Sequence, residues 1–245
     1  MTQPNYLILG ASGGIGAALC RRLNARGARL TLVARREAPL ADLATALGAR
    51  ACPGDARSAE FVEQTAAAVV GEHGQLDGIV NCVGSILLKP AHRTSVDEWR
   101  ETLGQNLDTA FAAVRAGTSV MQRSGGAIVL LSSAAAQLGL ASHEAISAAK
   151  AGVVGLARAA AASYASRGIR VNVVSPGLVQ TSLAEPLLAS DAMAKASAAM
   201  HPMGRLGEPG DVASAIDWLL NSEQSWVTGQ VLGVDGGLGS VRSRG

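Results

Sequence analysis

The stretch Tyr6-Leu7-Ile8-Leu9-Gly10-Ala11-Ser12-Gly13-Gly14-Ile15-Gly16 decides the fold. Tyr6 to Leu9 is an apolar run of strand length, and beyond the glycines Ile15, Leu19 and Leu23 recur every fourth residue to about Arg26, a helical period. A strand that turns into a helix through residues lacking Cβ lets the backbone come close to a ligand. Its amide groups then point, together with the helix dipole, at an anion such as a pyrophosphate. The glycine spacing here is G-x-x-x-G-x-G, distinct from the G-x-G-x-x-G dinucleotide fingerprint.

The same alternation continues along the chain. Leu30–Ala34, Arg50–Cys52, Gly78–Asn81, Ala127–Ser132, Ile169–Val174 and Val231–Val234 read as strands. Between them Leu40–Leu47, Phe61–Val70, about Gly104–Arg123, Glu144–Tyr164 and Gly210–Leu220 carry helical spacing, with Gly168 as a stop signal. Strands separated by crossover helices predict an α/β fold with a parallel sheet. No shift in composition marks a boundary, so residues 1–245 are expected to form one domain. Ser182–Met203, rich in Ala, Ser and Met, is expected to be a helical flap over the strand ends.

Composition narrows the function. At 245 residues, 48% hydrophobic and 16% charged, the chain can bury a substantial core and is not a disordered protein. A net charge of +2, from 21 basic and 19 acidic residues spread along the sequence, leaves no footprint for nucleic acid or an anionic membrane and favours a small-molecule partner. Cys20, Cys52 and Cys82 lack metal-ligand spacing, and no histidines are paired as in a zinc site, so no metal is expected. Odd cysteines, the absence of a continuous apolar run of membrane-spanning length and a start of Met1-Thr2-Gln3-Pro4-Asn5 lead us to expect a mature, unanchored cytoplasmic protein. The glycine loop also spells G-x-S-x-G through Gly10, Ser12 and Gly14, the nucleophile elbow of hydrolases. Asp211 or Asp217 would serve as the acid, but no histidine follows them, His201 being the last, and the order fails.

Further landmarks fall in order: Asp55 after the third strand, Asn81-Cys82-Val83-Gly84 after the fourth, Asn106 in the following helix, Ser133 after the fifth strand, Lys150 in the next helix, Pro176-Gly177 with Thr181 after the sixth, and Val234-Asp235-Gly236-Gly237 near the end. With the loop of Gly10, Gly14 and Gly16, this series resembles the short-chain dehydrogenase/reductase family over nearly the whole chain. The resemblance implies a single-domain, doubly wound Rossmann fold of about seven parallel strands. In such proteins the Asn-x-x-Gly segment supports the adenosine pocket, so Asn81 and Gly84 would lie on the cofactor. Asp55 would contact the adenine, Thr181 the nicotinamide amide and Lys150 the ribose, with Ser133, Lys150 and Asn106 forming the catalytic set. Read singly, Asp55 also suits a turn and Thr181 an N-cap.

Cofactor choice is read at the end of the second strand, Val33-Ala34-Arg35-Arg36. A 2′-hydroxyl is held there by a carboxylate, and a 2′-phosphate by a cation. Ala34 stands where the acid would be and Arg35 offers a guanidinium, which favours NADP(H) over NAD(H).

One position departs from the family. Its proton donor is a tyrosine one helical turn before the lysine, and four residues before Lys150 stands Ile146. Tyr6 lies in the first strand, and Tyr164 is about 21 Å from Lys150 along the helix at 1.5 Å per residue, so neither replaces it. His143, three residues earlier, is the nearest alternative acid, although a helix N-terminus disfavours imidazolium. Lys150 relaying a proton through water held by Asn106 is another route.

Two functions therefore stand side by side: an oxidoreductase of this family with non-standard proton donation, acting on a small carbonyl, imine, alkene or quinone, and an NADP-binding scaffold or regulatory subunit without turnover. No charge constellation in the flap or in Ser85–Ser95 names a substrate, though Lys89, His92, Arg93 and His201 are candidates to face one. Small residues at Ala110, Ala112, Ala113, Ala116 and Gly117, and at Ala148, Ala149, Gly152, Gly155, Ala159 and Ala160, suggest helices that pack closely across a symmetric interface. A homo-oligomer, with a tetramer favoured, is the expectation.

Overall fold

A computed structural model describes residues 3–242. Strand β1 (Asn5–Leu9) leads through the glycine loop into helix α1 (Gly14–Ala25), followed by β2 (Arg29–Ala34), α2 (Glu37–Leu47), β3 (Arg50–Pro53), α3 (Ala59–His73) and β4 (Gly78–Asn81). The second half runs α4 (Val96–Leu103), α5 (Thr109–Val120), β5 (Gly126–Leu131), α6 (Glu144–Tyr164), β6 (Ile169–Pro176), α7 (Asp191–Met200), α8 (Pro209–Leu220) and β7 (Val231–Val234). All seven strands are parallel, in the order β3-β2-β1-β4-β5-β6-β7. The order reverses between β1 and β4, and that switch point is where a doubly wound sheet opens a crevice at the carboxyl ends of its strands.

Alternation along the strands feeds two apolar layers. Tyr6 and Ile8 of β1 join Leu19, Leu23, Leu40 and Ile216 on the face covered by α1, α2 and α8. Leu7 and Leu9 join Val62, Ala113, Val153 and Ile128 on the face covered by α3, α5 and α6. The central strands are buried on both sides, which is why they read as continuous apolar runs.

Three expectations need correction. The helix expected at Gly104–Arg123 begins earlier. A capping box, in which Ser95 Oγ accepts from the Glu98 N–H and Glu98 returns the bond to the Ser95 N–H, starts α4, and a π-helical turn at Gly104–Asp108 joins it to α5. The Ser95-x-x-Glu98 signature is in the sequence, but polar spacing around it masks the helical period. The small residues of α5 do not form an outer face: Ala110, Ala112, Ala113 and Ala116 are buried within the chain, and a Cβ at Gly117 would lie 2.8 Å from Ile128 Cδ1. The flap is two pieces, a 3-10 turn at Glu185–Leu188 and α7.

Glu144–Arg167 is long and apolar enough, by length and composition, to cross a membrane. The fold instead uses this segment as a packed layer, with Val153, Ala157, Ala160 and Ala161 in the core.

Candidate active site

The glycine loop is shaped by two contacts that admit no side chain. Gly10 has φ +76°, and a Cβ there would sit 2.8 Å from the Cys82 carbonyl carbon; a Cβ at Gly16 would run into the Gly10 carbonyl oxygen. Gly10 and Ala11 donate to Val33 O at 2.8 and 3.0 Å, and Gly13 donates to Gly10 O at 3.1 Å, which ties the loop to β2. The N–H groups of Ser12, Gly14, Ile15 and Gly16 find no partner among the described residues, and no side chain caps α1. Four free amides at a helix N-terminus form an anion site. Thr181 closes the loop from above, its Cγ2 2.7 Å from where a Gly14 Cβ would stand; it caps no described helix.

At the neighbouring strand ends, Arg35 and Arg36 are exposed. Asp55 is held by Arg57, whose Nε and Nη2 lie 2.8 and 2.7 Å from Asp55 Oδ2. The guanidinium hydrogen-bonded to it holds the Asp55 carboxyl below the usual carboxylate range, and the Arg35 charge adds to this. Asp55 thus makes both a turn contact, through the Arg57 N–H, and an ion pair.

On the β4–β6 side, Asn81 donates from Nδ2 to Thr109 Oγ1 at 3.0 Å and accepts from the Val83 N–H at 3.1 Å, fixing the chain that leads to Gly84. Asn106, fully buried, rides on the π-helical turn. Its Nδ2 donates to Ser85 Oγ and Thr102 O, both at 2.9 Å, and its Oδ1 accepts from the Ser85 N–H at 3.2 Å. Lys150 is buried, and its Nζ donates to Leu131 O at 2.9 Å; among the described residues no carboxylate pairs with it. A Cβ at Gly84 would stand 3.0 Å from Asn106 Oδ1 and 3.5 Å from Lys150 Nζ, so the missing side chain keeps this corner open. Burial pushes the Lys150 ammonium down to about 8. Ser133 Oγ accepts from the Ala135 N–H at 3.2 Å, leaving its own hydrogen for another acceptor. Asn106, Gly84 and Lys150 are thus brought together, and Ser133 stands at the end of adjacent β5.

Ile146 is 5% exposed yet belongs to neither apolar layer of the sheet. His143 is held by its own loop, Nδ1 lying 2.7 Å from Ala141 O, and makes no hydrogen bond to Ser133, Lys150 or Asn106. Lys89 is occupied by Glu98 at 2.8 Å. His201 is buried away from water. Its Nε2 accepts from the Leu178 N–H at 3.1 Å, so Nδ1 carries the hydrogen donated to Ser197 O at 2.8 Å, and the ring pins α7 to the exit of β6 beside Gly177. Pro176 ends β6, opposite Val234 of β7. The acids considered for a hydrolase are taken: Asp217 sits between Arg22 and Arg26, and Asp211 pairs with Arg205. Two residues with evident positions went unread in the sequence, Ser85 and Arg57, and His201 was read there only as a candidate to face a substrate, not as a tie between α7 and β6. Only Ser85, directly after Asn81-Cys82-Val83-Gly84, had a positional signal.

A cavity of about 1300 Å³ opens at the opposite ends of the strands, where β5 and β6 begin, among Tyr6, Arg26, Asp77, Arg170 and Trp226. Strand carboxyl ends, free amides and the buried ammonium lie elsewhere, so chemistry rather than volume locates the site.

Comparison with known proteins agrees with this fold. The sequence model of a family described as Enoyl-(Acyl carrier protein) reductase matches residues 10–239. The D-threitol dehydrogenase of Mycolicibacterium smegmatis is 35% identical over 240 residues, covering 94% of this chain and 91% of that one. A solved short-chain type dehydrogenase/reductase from Mycobacterium ulcerans superposes with a TM-score of 0.94 at 31% identity, covering 99% of this chain and 92% of its own. The structure of ElxO with NADP bound superposes with a TM-score of 0.90 at 27% identity, covering 97% and 99%.

Proposed function

The chain belongs to the short-chain dehydrogenase/reductase family, a family of oxidoreductases that bind nicotinamide cofactors, and from that premise we propose an NADP(H)-dependent enzyme with a proton donor other than the helix tyrosine. Its substrate is a small carbonyl, imine, alkene or quinone. The observation that carries this reading is Lys150: a buried ammonium with, among the described residues, no carboxylate partner and one hydrogen bond, beside the open corner at Gly84 and Asn106. Such a group is costly to bury unless something else completes its shell.

The residues present fit a dinucleotide. The amides of the Gly10–Gly16 loop, those of Ser12, Gly14, Ile15 and Gly16 above all, would hold its pyrophosphate. Arg35 would take the 2′-phosphate, Asp55 the adenine, and Asn81 and Gly84 the wall of the adenosine pocket. Lys150 would take the ribose hydroxyls, and Pro176, Gly177 and Thr181 the nicotinamide end. When bound, the nicotinamide supplies or accepts hydride. Ser133 donates its free hydrogen to the substrate oxygen. Ile146 cannot donate, so the proton comes from the Lys150 ammonium through water; with its acidity brought to about 8 it is a far better acid than an ordinary lysine. In His143 the lone-pair nitrogen, not an acidic N–H, is left free when Nδ1 donates to Ala141 O.

We also take the protein to be a homo-oligomer, a tetramer by preference. Ala148, Gly155 and Ala159 of α6 are exposed, with Phe111 on α5 and Trp218 and Leu232 at the β7 edge. A single-chain mass by light scattering at micromolar concentration would sink that.

The test of function is a titration of NADPH and NADH into the wild type and Arg35→Ala, followed by NADPH oxidation across a panel of carbonyls, imines and quinones. NADPH should bind about 10- to 10²-fold tighter than NADH, the range of a charged hydrogen bond, and Arg35→Ala should erase the difference. Equal wild-type affinities remove the NADP reading. Binding with no turnover on any compound leaves a nucleotide-binding scaffold.

A further inference from the structure

The guanidinium groups around β2 and β3 are used differently. Arg35 and Arg36 enter no ion pair among the described residues. Arg57 is engaged on every side: Nε and Nη2 on Asp55 Oδ2 at 2.8 and 2.7 Å, and Nη1 on Glu101 Oε2 at 2.9 Å. Gln105 Nε2 in turn donates to Glu101 Oε1 at 2.9 Å, so the guanidinium is braced between the end of β3 and the α4 helix.

Arg35 and Asp55 leave adjacent strand ends together. Ala34 lies opposite Pro53 in the ladder, and the Gly54 N–H donates to Ala34 O at 3.0 Å. Their charges are close enough to interact, since Arg35 helps to keep the Asp55 carboxyl low. An unpaired carboxylate there would do two things: draw Arg35 into an ion pair of its own, and repel a phosphate brought to Arg35.

Resting on the NADP reading above, we propose that Arg57 is a specificity-determining residue, which occupies and neutralises Asp55 so that Arg35 stays free for the 2′-phosphate. In this reading Arg57 is not the phosphate's partner: each of its three nitrogens is already directed at Asp55 or Glu101. It acts through Asp55, as a positioning residue.

The experiment is an equilibrium titration of NADPH and NADH by fluorescence, with no turnover required. The proteins are wild type, Arg35→Ala, Arg57→Ala, Arg57→Lys, Asp55→Asn and the double variant Arg57→Ala/Asp55→Asn, each checked for unchanged melting temperature and read at low and at raised salt. Arg57→Ala should lower the NADPH-to-NADH affinity ratio about five- to tenfold at low salt, and the loss should shrink as salt screens it. Adding Asp55→Asn should return the ratio to within about twofold of Asp55→Asn alone, the sign of a coupled pair, and Arg57→Lys should keep most of the preference. If Arg57→Ala weakens both cofactors equally, or the double variant shows no recovery, Arg57 is merely structural and the proposal is overturned. A wild-type preference that Arg35→Ala abolishes and Arg57→Ala leaves intact removes this inference alone. A wild type with no preference takes down the NADP reading and this inference with it.

Discussion

The two halves of the cleft are built on opposite principles. At the ends of β1 to β3, groups are left free: among the described residues, four loop amides have no partner and Arg35 has no ion pair. At the ends of β4 to β6, polar groups are fastened to the protein, Asn106 by Ser85 and Thr102, Ser133 by the Ala135 amide, Lys150 by Leu131 O. The first half offers charge and hydrogen bonds to a large anionic ligand. The second offers fixed positions with few acidic protons, and Ile146 contributes none. Binding and proton transfer are therefore separable in this molecule, and each can be attacked without the other.

The largest expected effect restores what the second half lacks. Ile146 is buried, belongs to neither apolar layer and precedes Lys150 by one turn of α6, so a phenol placed there shares a helix face with the ammonium. Ile146→Tyr should raise ketone reduction by about 10² to 10⁴-fold, the usual worth of general acid catalysis, with NADPH affinity unchanged. A variant that binds NADPH and stays inert towards every carbonyl would show that the cleft is not shaped for a carbonyl, and the separation would become one between binding and no chemistry.

Lys150 belongs to both halves, and its titration sharpens the boundary. Its ammonium is held down at about 8 by burial, whereas an unfolded lysine titrates near ~10.4. Below pH 8 both states are charged and the folded chain carries the full cost of burying the charge. Between those two values the folded chain releases its proton first and the cost fades. The stability of the wild type relative to Lys150→Met should therefore rise through this window, by about 3 kcal/mol in all, in the absence of cofactor. Denaturant melts at pH 7, 8.5 and 10 would read it. A flat difference would mean that the ammonium is already well solvated and is not a group waiting for the ribose.

A smaller loss is expected in the first half. Gly16→Ala pushes a methyl group against the Gly10 carbonyl oxygen and within 3.0 Å of Ala11 Cα. If the loop keeps its bound shape only by taking up an overpacking cost of ~1–3 kcal/mol, the affinity for NADPH falls roughly five- to 150-fold. Unchanged affinity would mean that the loop amides are not the pyrophosphate site.

Much of this comparison is legible in the sequence, and the part that is not has a physical cause. The parallel sheet and glycine turn follow from local patterns, apolar runs of strand length and residues without Cβ, so β1, α1, β4 and α6 could be placed to within a residue or two. The start of α4 could not, because one capping box decides it while the helix itself is polar and half-exposed. The inward-facing alanines of α5 look like an interface in the sequence because smallness says only that something is near, not whether it is Ile128 of the same chain or a second copy. Arg57 and His201 are also held by partners 44 residues away at Glu101 and 23 away at Leu178, and no spacing rule joins such pairs.

The smallest expected effect concerns His143, the nearest alternative to the missing tyrosine. It is the N-cap residue of α6, but its side chain makes no capping bond and instead donates to Ala141 O, which steadies the loop that enters the helix. Nδ1 spends its hydrogen on that carbonyl, which leaves Nε2 as an acceptor in the neutral ring. His143→Ala should therefore change turnover by less than about threefold and cost ~1 kcal/mol of stability, the worth of one hydrogen bond. Activity on the most reactive substrate of the panel, compared with a thermal melt, separates the two roles. A loss of about 10²-fold or more with an unchanged melt would make His143 the proton donor after all and move the chemistry from Lys150 to the loop before α6.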